Sequence, residues 1–306
     1  LSEFATANNG NGGSLLALVG VRHLYCHTKA TDGLASLSDG YTGLANCRAY
    51  PRIGTFLPHL YVDESRGYDI FVRNCDGSNT RRLTEGRTYG KAMSWSPDGE
   101  RILFDGLFGG TEPPDLSEIY MMNAHGANVT RLLSPQGPNG LGYPSWSPDS
   151  ERIVFWDSCT IKTMRPDGSD IVVVVERSEM MMHAGDPDTC PFNPVWSPDS
   201  TQIAFSAVEL NSEPPGPYVY RIAVVNADGT ALMDLVTFTL PGNITSGGIG
   251  DLCWSPDGRQ VAYAVWDDQT QTATFFLVNA DGSGEPLETD SIPDSWHPWY
   301  WPQWSR

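Results

Sequence analysis

The 306-residue chain is 40% hydrophobic and 18% charged, a balance that suits a β-rich globular protein with a substantial core and not a disordered one. Its 37 acidic and 19 basic residues leave a net charge of −18, with no basic block beyond Arg81-Arg82, which speaks against a nucleic-acid partner. No apolar run approaches the roughly 20 residues of a membrane-spanning helix, so no span is expected.

The chain starts at Leu1 rather than Met, which reads as a mature terminus left by signal-peptide removal. Residues 1–13 read as a flexible arm: Leu1 and Phe4 at the far end, then an Asn/Gly-rich "NNGNGG" tether. Two uses of the arm stay open. Leu1 and Phe4 can insert into a neighbouring copy and drive head-to-tail self-assembly, or dock on their own chain. Residues 14–306 read as one domain.

Within that domain "SLLALVG" (14–20) is a strand, and "AYPRIGTFLPHLYV" (49–62) is a worn first copy of a repeat. The clear copies are "WSPDG" (95–99), "WSPDS" (146–150), "WSPDS" (196–200) and "WSPDG" (254–258). A fragment follows at "QWSR" (303–306). After each full copy comes an alternating tetrad, "RILF", "RIVF", "QIAF" or "QVAY", expected to form a half-buried strand. The intervening pentapeptide reads as a tight turn, with proline presetting φ and glycine accepting φ > 0. A second turn recurs at Asp32-Gly33, Asp76-Gly77, His125-Gly126, Asp167-Gly168, Asp228-Gly229 and Asp281-Gly282, a strong hairpin signal.

Each unit is therefore four antiparallel strands: A before the pentapeptide, B after it, C before the second turn, D after it. Repeats of about fifty residues built from strands point to propeller blades. The six hairpins predict an all-β, six-bladed β-propeller. Strand A at the C-terminus then lacks its B, and 14–20 lacks its A. Pairing of the C-terminal strand with the N-terminal blade would close the ring.

This pattern resembles the TolB-like propeller family, whose repeats carry the same WSPDG-x-x-I-x-F signature, over residues 14–306. The resemblance implies six blades and leaves the chemistry open, because propellers host many functions.

Six cysteines without CxxC spacing speak against a zinc ribbon or thioredoxin site and allow fifteen pairings. Cys159 closes a short B–C connection and Cys190 ends the following D–A loop, so a Cys159–Cys190 disulfide is expected. Cys253, beside Trp254 in an inner strand, reads as a buried thiol. Sequons at Asn128 ("NVT") and Asn243 ("NIT") agree with a secreted, extracellular or periplasmic glycoprotein.

The A–B and C–D turns share one face and are short. The B–C and D–A loops share the other and vary widely, which makes that face the expected binding site. There, Trp296, His297, Trp299, Tyr300 and Trp301 offer aromatic planes for a protein partner or a sugar, with packing in the closure seam as the alternative. Glu179, His183, Asp186 and Asp188 form an oxygen-rich set with one imidazole, suited to Ca2+ or manganese, or simply a solvated acidic loop. HExxH, GxSxG and phosphate-loop motifs are absent from the sequence. The reading is a non-catalytic propeller for protein binding or self-assembly. Its rival is a carbohydrate-active enzyme such as a polysaccharide lyase, drawing on His23, His27, His183 or His297, or a glycan-binding module on the same face.

Overall fold

The computed structural model describes residues 4–8, 14–18, 59–63, 69–73, 79–85, 93–106, 116–136, 140–176, 189–209, 218–240, 248–250, 252–267, 272–293 and 301–305. Every regular element among them is a β-strand, and each neighbouring pair with a defined register is antiparallel. The first sheet holds β1 (Phe4–Asn8) and β2 (Ser14–Leu18). The second holds β3 (His59–Asp63), β4 (Asp69–Arg73) and β5 (Arg81–Arg82). The third is β6 (Met93–Trp95), β7 (Arg101–Gly106), β8 (Glu118–Asn123) and β9 (Thr130–Leu133). The fourth is β10 (Leu141–Trp146), β11 (Ile153–Asp157), β12 (Ile161–Met164) and β13 (Val172–Val175). The fifth is β14 (Thr189–Trp196), β15 (Gln202–Glu209), β16 (Tyr218–Asn226) and β17 (Met233–Leu240). The sixth is β18 (Gly248–Ile249), β19 (Cys253–Trp254), β20 (Gln260–Asp267), β21 (Thr272–Asn279) and β22 (Leu287–Pro293). The last strand, β23 (Trp301–Ser305), returns to the first sheet, whose order is β1-β2-β23.

The repeated pentapeptide makes each A–B turn in the same way. Ser147, Ser197 and Ser255 each donate their hydroxyl to the aspartate two residues on, at 2.6 Å, and Ser96 does so to Asp98. Each hydroxyl also accepts the N–H of the residue five positions on, at 2.9 Å. The aspartates accept a further backbone N–H, as Asp257 does from Arg259 at 3.1 Å. The four serines are buried and fully engaged, so they are turn-closing groups rather than nucleophiles. The left-handed fifth position is filled by Gly99, Gly258, Ser150 and Ser200, at φ between 63° and 74°.

The contacts divide the chain into two compact units. In the unit of residues 21–158 and 163–171, consecutive sheets stack face to face. Ile70, Val72 and Leu83 meet Met93, Trp95, Ile102 and Phe104. Leu103 and Ile119, on the far side of that third sheet, meet Leu141, Trp146, Ile153 and Phe155. Arg101 also lies over the Trp146 ring at 4.5 Å. In the unit of residues 1–20, 159–162 and 172–306, Ala204, Ile222 and Val224 meet Trp254, Val261 and Tyr263, and Trp254 Nε1 donates to the Val195 carbonyl at 3.2 Å.

The B strands are not half-buried as expected. Leu103, Val154, Ala204 and Ala262, the out-of-phase residues of the tetrads, are all fully enclosed. Both faces of these strands are buried, and small or aliphatic residues occupy the second face.

The second turn carries a tighter constraint. Gly126 sits at φ 84° against β5's neighbour Leu83, where an added Cβ would stand 2.4 Å from a carbonyl oxygen. Gly168 (φ 82°) meets the Leu132 carbonyl at 2.8 Å and Gly229 (φ 85°) the Val174 carbonyl at 3.1 Å. Asp-Gly or His-Gly here is thus a hairpin signal and a docking surface at once.

β23 pairs with β2, Leu15 opposite Trp304 and Leu18 opposite Trp301, the strand pairing expected of the two chain ends. Of the two uses left open for the arm, residues 4–8 follow the second: they pair with their own chain, Phe4 opposite Leu18 and Asn8 opposite Ser14. "FATAN" and "SLLAL" flank a glycine-rich stretch, and such a sequence makes a hairpin as readily as a linker. Leu1 lies outside the described residues.

Two expectations follow. Gly126→Ala should cost about 2–4 kcal/mol, from left-handed strain plus displacement of the Leu83 backbone, whereas Gly258→Ala should cost about 1 kcal/mol from strain alone. A Cβ there meets no atom nearer than Pro198 Cδ at 3.8 Å. Equal losses in urea denaturation would refute the docking role. The second concerns acid. The Ser255 hydroxyl, the Arg259 N–H and the Arg259 charge hold Asp257 below its ordinary value against a smaller effect of burial. Burial opposes the shift more at Asp199, yet Ser197 and Thr201 still lower it. Depressed carboxylates contribute stability that is complete above the unfolded value of about 3.9 and is lost as pH falls through the folded one. Stability should therefore fall below about pH 4, and less steeply in Asp257→Asn. Identical acid limbs for the two proteins would count against the turn carboxylate.

Candidate functional site

The long connections attach where B strands end and A strands begin, and the structure fixes what stands at those ends. In the unit containing β14 to β23, one cross-strand row of the fifth sheet runs Cys190, Val208, Tyr220, Phe238. The Tyr220 ring stacks on Phe238, which stacks on Tyr263, which stacks on Phe276, at centroid distances of 5.9, 6.1 and 5.2 Å. This aromatic ladder ties the fifth sheet to the sixth. Burial pushes the Tyr263 phenol far above its ordinary pKa, so this hydroxyl stays protonated and serves packing rather than acid–base work.

Beside the row, Arg221 donates to Glu209 Oε1 at 3.0 Å and to Asp234 Oδ2 at 2.9 Å, linking β15, β16 and β17 across their exits. Burial works against the guanidinium's charge, and the two carboxylates outweigh it, raising its pKa. The triad ties three neighbouring strands together, and Arg221 Nε is buried without a hydrogen-bond partner.

An A-strand bulge recurs at this end and was not foreseen. Register shifts occur between Gly142 and Ser145 in β10 and between Phe192 and Val195 in β14. Tyr143 (φ 53°) and Asn193 (φ 58°) hold the left-handed position in each. A bulky residue with positive φ is strained and marks a place where the backbone is aimed. In the unit containing β10, buried Asp105, at the end of β7, accepts the Tyr143 N–H at 3.3 Å and so pins the bulge. In the other unit Asn193 Nδ2 reaches the Gly250 carbonyl at 3.3 Å. The sequence signal was available: Tyr143-Pro144-Ser145-Trp146 and Asn193-Pro194-Val195-Trp196 share an x-Pro-x-Trp pattern, which Trp301-Pro302-Gln303-Trp304 repeats.

Of the residues singled out from sequence, Trp301 opens β23, opposite Leu18, and Leu18 in turn faces Phe4 across β1. Trp296, His297, Trp299 and Tyr300 lie outside the described residues, as do Glu179, His183, Asp186, Asp188 and Asn243. Among the described residues no three His, Cys, Asp or Glu side chains gather as a metal site. Asn128 is exposed at a turn. Cys159 and Cys190 form a disulfide with Cα atoms 4.6 Å apart, Cys159 at φ 63° in its turn and Cys190 buried where β14 begins. Cys253 is a thiol but half-buried rather than buried, and its Sγ donates to the Trp254 carbonyl at 3.6 Å.

The fold has clear relatives. The structure of TolB from Acinetobacter baumannii superposes with a TM-score of 0.61 at 17% identity, covering 98% of this chain and 65% of that one. A putative TolB from Agrobacterium tumefaciens gives 0.55 at 21% identity, covering 84% and 87%. An oligogalacturonate lyase in complex with manganese gives 0.50 at 13% identity, covering 97% and 86%. At such identities the likeness concerns fold alone, and the fold it supports is a TolB-like propeller. Uncharacterized protein Atu1656 of Agrobacterium fabrum is 28% identical over 174 residues, 55% of this chain, and the chain spans about half the length of that curated relative. No family model matches. No helix is long and apolar enough to cross a membrane among the described residues. The disulfide is consistent with an extracellular or periplasmic location.

The disulfide closes a loop with a sequence separation of 31 residues. Cys190→Ser should lower the unfolding free energy by about 3 kcal/mol in the chain-entropy picture. Adding reductant to the wild type should reproduce the loss, and have no effect on the variant. A reductant-insensitive wild type would contradict the bridge.

Proposed function

We propose that this chain is an exported, non-catalytic, six-bladed β-propeller that binds proteins with the loop-bearing ends of its strands. Trp296, His297, Trp299, Tyr300 and Trp301 supply its aromatic anchors. One observation carries the reading: the polar groups that recur with the repeat are consumed in closing turns. Ser96, Ser147, Ser197 and Ser255 are each bonded to an aspartate and to backbone, leaving no repeated residue free for chemistry. What varies between repeats is what the scaffold presents, and variable loops on rigid sheets are where binding residues concentrate. A TolB-like fold fits such a module. Self-assembly through Leu1 and Phe4 is not part of this reading, since Phe4–Asn8 already pair with their own chain.

A second reading, a polysaccharide lyase or a glycan-binding module, is kept for one chemical reason. Glu179, His183, Asp186 and Asp188 are the donor types that calcium or manganese accept, and His297 stands among aromatic residues fit to stack on a sugar ring. An acidic polysaccharide would need such a cation between itself and a protein of this charge.

The deciding experiment pairs turnover with cross-linking. Purified protein is given polygalacturonate with manganese or calcium, and release of unsaturated ends is followed. In parallel, a photo-cross-linker at position 299 is used in an extract of the secreting cell. The binding reading expects no turnover and a defined cross-linked protein, whose affinity falls roughly 30-fold in Trp296→Ala/Trp299→Ala, as for a hot-spot pair. Metal-dependent turnover abolished by His183→Ala would replace it with the lyase reading.

A further inference from the structure

We propose that Asn128 is an N-glycosylation site, carrying an oligosaccharide transferred from a polyprenyl-diphosphate-linked donor. The turn that holds it has three described counterparts, and the residue equivalent to Asn128 is described in a fourth repeat, at Asn79. In each, the third residue after the Asp or His of the hairpin is left-handed: Asn79 at φ 54°, Asn128 at 58°, Asp170 at 53°, Ala231 at 53° and Gly284 at 76°. Asparagine at this slot is explained by backbone geometry alone, because Asn and Asp tolerate positive φ. The residue two positions on is explained by nothing in the turn. It is Arg81, Val172, Met233 and Pro286 in the counterparts, and Thr130 only here. Among the five turns one combines an asparagine with a threonine at the spacing that oligosaccharide transfer reads.

The side chains are presented for it. Asn123 closes the turn, its Oδ1 accepting the N–H groups of His125 and Ala127 at 2.9 Å each. The Asn128 amide therefore has no duty in the turn, and no hydrogen bond engages it. Both Asn128 and Thr130 are exposed, and the Thr130 hydroxyl donates to the Asn128 carbonyl at 3.2 Å, on the side where the two residues lie together. Gly126, seated against Leu83, fixes the hairpin tip so that residues 127–130 stay at the surface. A glycan at this turn leaves the loop-bearing strand ends uncovered, so this site and the proposed binding function stand or fall separately.

The chemistry balances within the named reactants. Asn128 Nδ2 forms a bond to the anomeric carbon of the donor sugar, the bond from that carbon to the diphosphate oxygen breaks, and the polyprenyl diphosphate leaves. Nδ2 gives up one proton to solvent or base. No oxidant or reductant takes part.

The test uses the full chain, secreted from a eukaryotic cell that makes such donors. Peptide mass spectrometry follows enzymatic deglycosylation, which leaves aspartate where a glycan was attached. The expected result is conversion at Asn128 in the wild type and in Thr130→Ser, and its loss in Thr130→Ala. Asn128→Asp should remove the same mass from the intact protein while folding normally, since Asp170 occupies the equivalent slot. An unconverted Asn128 in folded, secreted wild type overturns the proposal, as does an unchanged intact mass in Asn128→Asp. Should a variant fail to secrete, the wild-type peptide decides alone.

Discussion

A carbonyl oxygen and an absent side chain govern how closely neighbouring sheets in this protein approach. Where Gly126 meets Leu83, and Gly168 meets Leu132, the C–D turn of one sheet presses on the backbone of the sheet before it. Any Cβ would force the sheets apart, and the interleaved cores of Trp95, Trp146 and their partners depend on that spacing. Close packing tolerates little radial error, since a gap of half an ångström or more already forfeits much of the dispersion attraction. In the unit holding Gly126 and Gly168 the turn glycine thus sets a distance on which the tetrads of β7 and β11 rely. Burial of both faces of each B strand follows, and so does the presence of Val154, Ala204 and Ala262 where a surface strand would carry polar residues.

The same economy explains why the motif that dominates the sequence says so little about chemistry. A serine and an aspartate two residues apart look like catalytic material. In the A–B turns the pair saturates itself: hydroxyl to carboxylate, hydroxyl from backbone, carboxylate from backbone. Removing either partner leaves a buried donor or acceptor unsatisfied, which is costly enough to preserve the pair without any role for catalysis. The acids that end the B strands behave alike. Asp105 holds the Tyr143 N–H and Glu209 holds Arg221, so each anchors the base of a loop. These charges shape the strand ends that carry the long connections.

The strands, the two turn types and the β2–β23 pairing were legible from sequence because each has a short, repeated, local cause: alternation, a proline-preset turn, a left-handed glycine. The Cys159–Cys190 bridge was legible because repeat register placed the two connections side by side. What escaped depended on neighbours. Whether Leu103 faces solvent or another sheet is not a property of its own strand. Nor does alternation tell that Tyr143 will adopt positive φ before a proline, a conformation held by Asp105 from another sheet. For residues 1–13 two uses stayed open, because an apolar segment such as "FATAN" can pair with its own chain or with another, and only the partner strand chooses between them. The long connections share little beyond the "EPP" at 112–114 and 213–215, so neither periodicity nor turn chemistry constrains them.

Pairing of β2 with β23 joins segments from opposite ends of the chain. During synthesis β2 emerges well before its partner, so one edge of β2 stays without its native neighbour until residues 301–305 have been made. Loop closure over such a span is slow compared with local hairpins, and an open strand edge invites wrong pairings while it waits. The β1–β2 hairpin needs only a short connection, so it can form at once and shield the other edge. On this topology residues 301–305 act as a kinetic checkpoint. A ribosome stalled before them would leave most of the sheets formed and an exposed edge along residues 14–18, the form that quality-control machinery and aggregation compete for.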